Sequence, residues 1–328
     1  MKRRDVIVGL AGAVAMQGFA HAQGRSGLHH MAILLAIAEA DPFLPRFIEA
    51  AQQGLQSLGW KLESSLHIEV RVAGFDPERL KKYAEDLVAL RPEVILVLSS
   101  AEIRAVRKEN ATVPIVFAYA TDPVADGVVE SLARPGGYTT GFTNYQPSIA
   151  TKWLGLLKEM APALKRVAIV LNVDSISLVA LRQAVVAAAP SFDLTLTTIG
   201  DTDAATITRG IEGFAPGTPG GLLVFPGPST AAQRELIVSL ATRLRLPGIY
   251  PFPGYARAGG LMFYGTDQVE QFRRAVSYVD RILRGEKPSD LPVQAPVKFD
   301  LILNNKTARA IGISVPATLL ASADEVIE

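Results

Sequence analysis

The stretch Pro92 to Pro123, PEVILVLSSAEIRAVRKENATVPIVFAYATDP, constrains the fold more than any other part of the chain. Val94 to Leu98 and Pro114 to Ala120 are unbroken apolar runs, separated by a polar corner at Ser99-Ser100 and a helical pattern. Strands without polar alternation have both faces covered, as in a parallel sheet flanked by helices. The unit therefore reads βαβ, and in such sheets ligands sit beyond the carboxyl ends of the strands. Two hydroxyls at a strand end, beside the unpaired N–H groups that open a helix, form a small receptor for an anion or carboxylate. Ser100 also reads as the cap of that helix, and the two roles are compatible.

The same alternation runs along the chain. A strand from Met31 to Ala38 is followed by a helix to about Leu58, closed by Gly59 as a helix-terminating glycine. A strand from Leu66 to Val72 leads to Asp76-Pro77, an N-cap with proline at the first helical position. Ser131 to Tyr145 is rich in turn residues and reads as a connection between lobes. A second series then follows: a helix from Ile149 to Glu159, strands at Val167 to Leu171, Leu194 to Ile199 and Leu222 to Phe225, and a helix from Ala231 to Leu244. Strands reaching Ile249-Tyr250 and Leu261 to Tyr264, a helix from Gln268 to Leu283 and a strand from Phe299 to Leu303 close the chain. Its 328 residues are enough for two compact α/β lobes with a cleft between them.

Composition narrows the function. A net charge of +1 argues against a nucleic-acid surface, which needs an excess of Lys and Arg. The chain has no cysteine, which removes disulfides, thiolate metal sites, a cysteine nucleophile and a lipoprotein anchor together. Lys2-Arg3-Arg4, the apolar run Val6 to Ala20 and the A-x-A site Ala20-His21-Ala22 read as a secretory signal peptide over residues 1–22, cleaved after Ala22. A periplasmic location follows from that reading, by a general or a twin-arginine export route. His29 and His30 fall near the expected mature N-terminus and read as solvated rather than metal-binding. No zinc-protease, nucleophile-elbow, Walker or dinucleotide-binding motif is present, and Asp122 has no visible acid–base partner. The pattern favours binding over turnover, with no cofactor.

What remains is a ring of polar residues at expected strand ends. In the first half these are Glu39, Asp41, Ser99, Ser100, Thr121 and Asp122, and in the second Asn172, Ser175, Ser177, Pro226 and Tyr250. Tyr119 and Tyr145 add aromatic faces near the connection. Each fits a cap, a turn or the core taken singly; together they line facing walls of a cleft.

Several blocks carry a resemblance. SLARPGGYTTGF at residues 131–142 and KFDLILNNKTARAIGISVPATLLASADEVIE at 298–328 closely resemble ABC-transporter substrate-binding proteins of the family that includes tryptophan-binding members. AEADP at 38–42, PIVFAYATDPV at 114–124 and AGGLMFYG at 258–265 fit the same pattern. The resemblance implies a type I periplasmic binding protein, with two Rossmann-like lobes, three crossover segments and closure on a ligand. The expected lobes are 27–143 with 264–290, and 144–263 with 291–328. The implied partners are a small amino acid or carboxylate and an ABC permease with its cytoplasmic ATPase, the receptor itself being a monomer. A sensor module docking on a membrane receptor is the alternative, and an α/β enzyme a third.

Against the family pattern, Ser99 and Ser100 replace the glycine and threonine of a G-T-P-A-A corner, and Ala101 its proline, while Asn172 matches a strand-end asparagine. Gly227 and Arg257 stand where acidic residues are common, and these two changes point to an anionic ligand.

Overall fold

The computed structural model describes residues 27–328, so the expected signal peptide lies outside the described residues. Twelve strands among the described residues form two sheets. The first contains β1 (His29–Leu35), β2 (Leu66–Val72), β3 (Val94–Val97), β4 (Ile115–Ala120) and β5 (Thr139–Thr143), in the spatial order β2-β1-β3-β4-β5. All its pairings are parallel, with Met31 opposite Val94 and Leu96 opposite Val116. The continuous apolar runs of β1, β3 and β4 are buried because helices cover both faces. Helices Leu44–Ser57 and Gln268–Leu283 cover one face, and Pro77–Ala89 and Ser100–Glu109 the other.

The second sheet contains β6 (Arg166–Leu171), β7 (Thr195–Gly200), β8 (Gly220–Val224), β9 (Gly248–Tyr250), β10 (Met262–Gly265), β11 (Asp300–Asn304) and β12 (Glu325–Ile327). Its order is β12-β11-β10-β9-β8-β6-β7, parallel except for the β10–β11 pair. Helices Ile149–Met160 and Val179–Ala188 cover one face, and Ala204–Phe214 and Arg234–Arg243 the other.

The chain passes between the sheets three times: after β5, after β10 on the way to helix Gln268–Leu283, and before β11. At the third passage Gln294 N–H donates to the Gly141 carbonyl (2.9 Å), which fastens the crossing to β5. β10 runs to Gly265, two residues beyond the expected change of lobe.

Most local expectations hold, and three differ. β5 was expected as a connection. It is a strand whose five residues are all buried, because β-branched Thr139, Thr140 and Thr143 pair with β4 and Thr140 Oγ1 donates to the Leu291 carbonyl (2.5 Å). The expected single helix Ala231 to Leu244 is two, Pro228–Ala232 and Arg234–Arg243, meeting at Gln233. β1 starts at His29 rather than Met31, since the His29 ring lies 3.1 Å from Glu93 Oε1; that histidine is a strand residue, not a solvated end.

Candidate functional site

Both sheets reverse the direction of strand addition once: the first between β1 and β3, the second between β6 and β8. At such a switch point the connections leave on opposite faces and open a crevice beyond the strand ends. The two crevices face each other across a cavity of about 550 Å³. Ala36, Leu98 and Ser100 line it from the β1/β3 side, and Asn172, Ser175 and Pro226 from the β6/β8 side.

The floor on the first side is a hydrogen-bonded box. Ser99, not Ser100, is the N-cap of helix Ser100–Glu109; its hydroxyl accepts from Ala101 N–H (3.3 Å) and donates to Glu102 Oε2 (2.5 Å). Glu102, 1% exposed, also accepts from Ser99 N–H (3.1 Å) at Oε2 and from Ala36 N–H (2.9 Å) at Oε1. One carboxyl thus ties the end of β1 to the end of β3 and to the helix start. Burial pushes its pKa above the usual carboxylate range despite these donors. Ser100 follows at the first helical position with its side chain at the cavity wall.

Thr121 Oγ1 accepts from Asn144 Nδ2 (3.1 Å), and Asp126 Oδ1 lies 3.5 Å from Arg104 Nη1. Tyr119 contributes its ring, its hydroxyl 3.3 Å from the Thr266 carbonyl; burial pushes that phenol up to about 12. On the second side Asn172 Oδ1 accepts from Asp174 N–H (2.9 Å), and the Ser175 and Ser177 hydroxyls are 3.1 Å apart. Phe43, Phe47, Phe75 and Phe252 supply apolar wall.

The structure brings Asp41, Ser99, Ser100, Tyr119, Thr121, Asn172, Ser175, Ser177 and Pro226 to this one cavity. Four expected residues are elsewhere. Glu39 is exposed and paired with Arg79 (2.5 Å). Asp122 turns away to accept from Ala125 N–H (3.0 Å) and lines a second hollow of about 320 Å³. Tyr145 is buried, donates to the Pro251 carbonyl (2.5 Å) and lines that same hollow. Tyr250 is packed in the core, stacked on Tyr255 with ring centroids 5.0 Å apart.

Sequence reading missed Phe43, Phe252, Asn144, Asp126 and Arg234, all in the lining. It also missed Glu102, although S-x-x-E at residues 99–102 is a readable capping box.

The charge balance differs from the expected anion receptor. Asp41, Glu102, Asp126 and Asp174 line the cavity against Arg104 and Arg234. Arg257 is outside it, paired with Glu325 (3.0 Å) and set 5.2 Å from the Phe43 ring centroid. Beside Gly227, the Asp201 carboxyl lies 3.7 Å from where a Cβ would stand, so an acid occupies that neighbourhood after all.

Asp41 and Arg234 meet across the cleft, Oδ2 to Nη1 at 3.3 Å, one from each side. Half-shielded pairs of this kind contribute about 1 kcal/mol. Arg234→Leu is therefore expected to shift the ligand-free chain toward an open arrangement by about fivefold in population. Small-angle scattering checks it: the variant's radius of gyration should exceed the parent's, and identical profiles would count against the pair as a closure contact.

Comparison with known proteins adds the lineage. The sequence model of the ABC transporter substrate binding protein family matches residues 34–327. The chain is similar to a tyrosine-binding protein of Clostridioides difficile (strain R20291), 22% identical over 270 residues, covering 82% of this chain and 77% of that protein. Among solved structures it is similar to a conserved domain protein from Vibrio cholerae, with a TM-score of 0.82, 24% identity and coverage of 91% and 99% of the two chains. It is likewise similar to an ABC domain from Streptococcus pneumonia in complex with L-Trp, with a TM-score of 0.83, 21% identity and coverage of 92% and 100%. At these identities the structural likenesses establish the fold.

Proposed function

Because the chain belongs to the ABC transporter substrate-binding protein family, we propose that it is the extracytoplasmic solute receptor of an importer. It captures a small carboxylate-bearing solute by closure of two lobes and delivers it to a permease driven by a cytoplasmic ATPase. We assign the lobes as 27–143 with 266–294, and 144–265 with 295–328, since β10 ends at Gly265 and Leu291 to Gln294 pack on the first sheet. The single observation that carries this reading is the cavity at two opposed switch points, lined from both sheets. A ligand there touches both halves, so it binds the closed form better than the open one and shifts the equilibrium by that difference.

Within the class we favour an amino acid with an aromatic or large apolar side chain. Five aromatic rings line the cavity (Phe43, Phe47, Phe75, Tyr119 and Phe252), and a planar side chain fits between such walls. Arg234 and Ser100 are the groups suited to its carboxylate. Relatives described as binding tyrosine and L-Trp support the same choice. No helix among the described residues is long and apolar enough to cross a membrane. Periplasmic placement and the signal peptide over 1–22 are part of this proposal.

The test is a thermal-shift screen against aromatic and aliphatic amino acids and simple organic acids. A ligand at 100 times its Kd raises stability by about 2.7 kcal/mol. Aromatic amino acids are expected to raise the melting point and short organic acids to leave it unchanged. A shift from simple organic acids alone would refute the amino-acid reading.

A further inference from the structure

We propose that Asp126 and Asn144 form the seat for a protonated amine of the bound solute. The inference rests on the proposed reading of the cavity as an amino-acid site and names the residues that select within it.

Two side-chain oxygens of the cavity lining are buried without a hydrogen-bond partner among the described residues, Asp126 Oδ2 and Asn144 Oδ1. The Asp126 side chain is 9% exposed and Asn144 1% exposed. Buried acceptors are nearly always paired, and those that are not mark strain or a place where a donor arrives. The neighbouring acceptors have their donors. Glu102 takes Ala36 N–H, Ser99 N–H and the Ser99 hydroxyl. Asp41 takes Phe43 N–H (2.8 Å) and Arg234. Thr121 takes Asn144 Nδ2.

Both seats are held before any ligand arrives. Asp126 N–H donates to the Asp122 carbonyl (3.0 Å), inside a loop whose Val128 N–H donates back to the Pro123 carbonyl (2.9 Å). Asn144 N–H donates to the Ala120 carbonyl (3.0 Å), and its own carbonyl accepts from Thr266 Oγ1 (3.3 Å). Both loops thus hang from the end of β4. Residues whose backbone is fixed in this way bind at a smaller ordering cost.

The donor that suits them is an ammonium. It carries three N–H donors and a positive charge, so it can serve more than one acceptor and also balance the carboxylate excess of Asp41, Glu102, Asp126 and Asp174 over Arg104 and Arg234. A hydroxyl donates only once, and an anion meets like charge. The carboxylate of the same solute is left to Arg234, on the opposite wall.

The experiment uses matched sets built on tyrosine, tryptophan, phenylalanine and leucine: each amino acid, its decarboxylated amine and its des-amino acid. Calorimetric titration is run on the parent chain and on Asp126→Asn, with urea midpoints checking that the variant is folded. In whichever set binds, losing the amine should weaken binding by about 30-fold or more, as for removal of one partner of a buried charge pair. Asp126→Asn should weaken the amino acid by a similar factor and leave the des-amino acid within about threefold, so that the preference for the amine collapses. A des-amino acid that binds the parent chain as tightly as the amino acid overturns the seat while leaving a carboxylate receptor in place. So does an Asp126→Asn chain that keeps the full preference. Binding of the amines alone, lost in Asp126→Asn, upholds the seat and removes the carboxylate from the proposed function. Binding by no member of any set removes both.

Discussion

Replacing Glu102 by alanine is expected to lower stability by about 3 kcal/mol, because it leaves the partly buried Ala36 N–H and Ser99 N–H without their acceptor, empties the space of a fully buried side chain and dismantles the cap of helix Ser100–Glu109. The same change removes the link between Ala36, just past β1, and Ser99, just past β3, at the cavity floor, so ligand affinity should fall with it. Glu102→Gln separates the two parts. It keeps the volume and one acceptor oxygen but turns an NH2 toward groups that donate, so it should cost roughly half as much.

The pH dependence has a definite sign. Burial holds the Glu102 carboxyl above the usual carboxylate range in the folded chain. As pH rises, the unfolded chain therefore loses this proton first, the folded chain binds more protons, and stability falls across that interval. The contribution is fully present below the ordinary carboxylate pKa and is lost as pH passes the raised folded value. Urea titrations at a series of pH values from 4 upward check this: the parent should show the downward slope and Glu102→Gln a flatter one. Equal slopes would mean that Glu102 is not the group responsible.

The βαβ order and the strand-end location of the cavity were legible because they rest on local pattern. A strand buried on both faces must be written in continuous apolar residues, as β3, β4, residues 31–35 of β1 and residues 167–171 of β6 are. Asp76 caps its helix as expected, accepting from Glu78 N–H (2.9 Å) and Arg79 N–H (3.1 Å). β5 was not legible: Thr-Thr-Gly-Phe-Thr has one large apolar residue, and its burial comes from β4 beside it and from the crossing chain at Leu291 and Gln294.

The site divides along the same line. Thr121 and Asn172 follow strands directly and Ser99 and Pro226 come two residues after theirs, so their place is given by the strand. Whether a tyrosine near a strand end faces the cleft or the core depends on neighbours far along the chain. Tyr119 lines the cavity, while Tyr250 is taken up by Tyr255 and Tyr145 by the Pro251 carbonyl. Asn144, Asp126 and Arg234 are ordinary loop or helix-start residues until the two sheets are placed together. The charge balance of the cavity, and with it the kind of solute expected, is therefore a property of the assembled fold.

Gly141→Ala is expected to be at least as damaging as the loss of Glu102, by about 3 kcal/mol or more, through backbone collision rather than lost bonds. A Cβ on Gly141 would stand 1.9 Å from the Phe117 carbonyl oxygen and 2.7 Å from the Phe117 nitrogen, and neither is the movable end of a side chain. Gly141 also has φ +155°, a conformation side chains rarely adopt. The β4–β5 ladder shifts register between Phe117 and Ala120, next to this contact, so any relief must move β5 as a whole. That movement reaches Asn144, hydrogen-bonded to Thr121, and Gln294, bonded to the Gly141 carbonyl. Gly137→Ala is the control. Gly137 has φ +56° and open space around its missing Cβ, so it isolates the torsional cost, about 1 kcal/mol. Denaturant midpoints at constant slope should place Gly141→Ala well below Gly137→Ala, with a matching loss of ligand affinity only in the former. Equal midpoints would show that β4 and β5 yield to the added methyl, and that the close approach does not hold the β4–β5 side of the cavity in place.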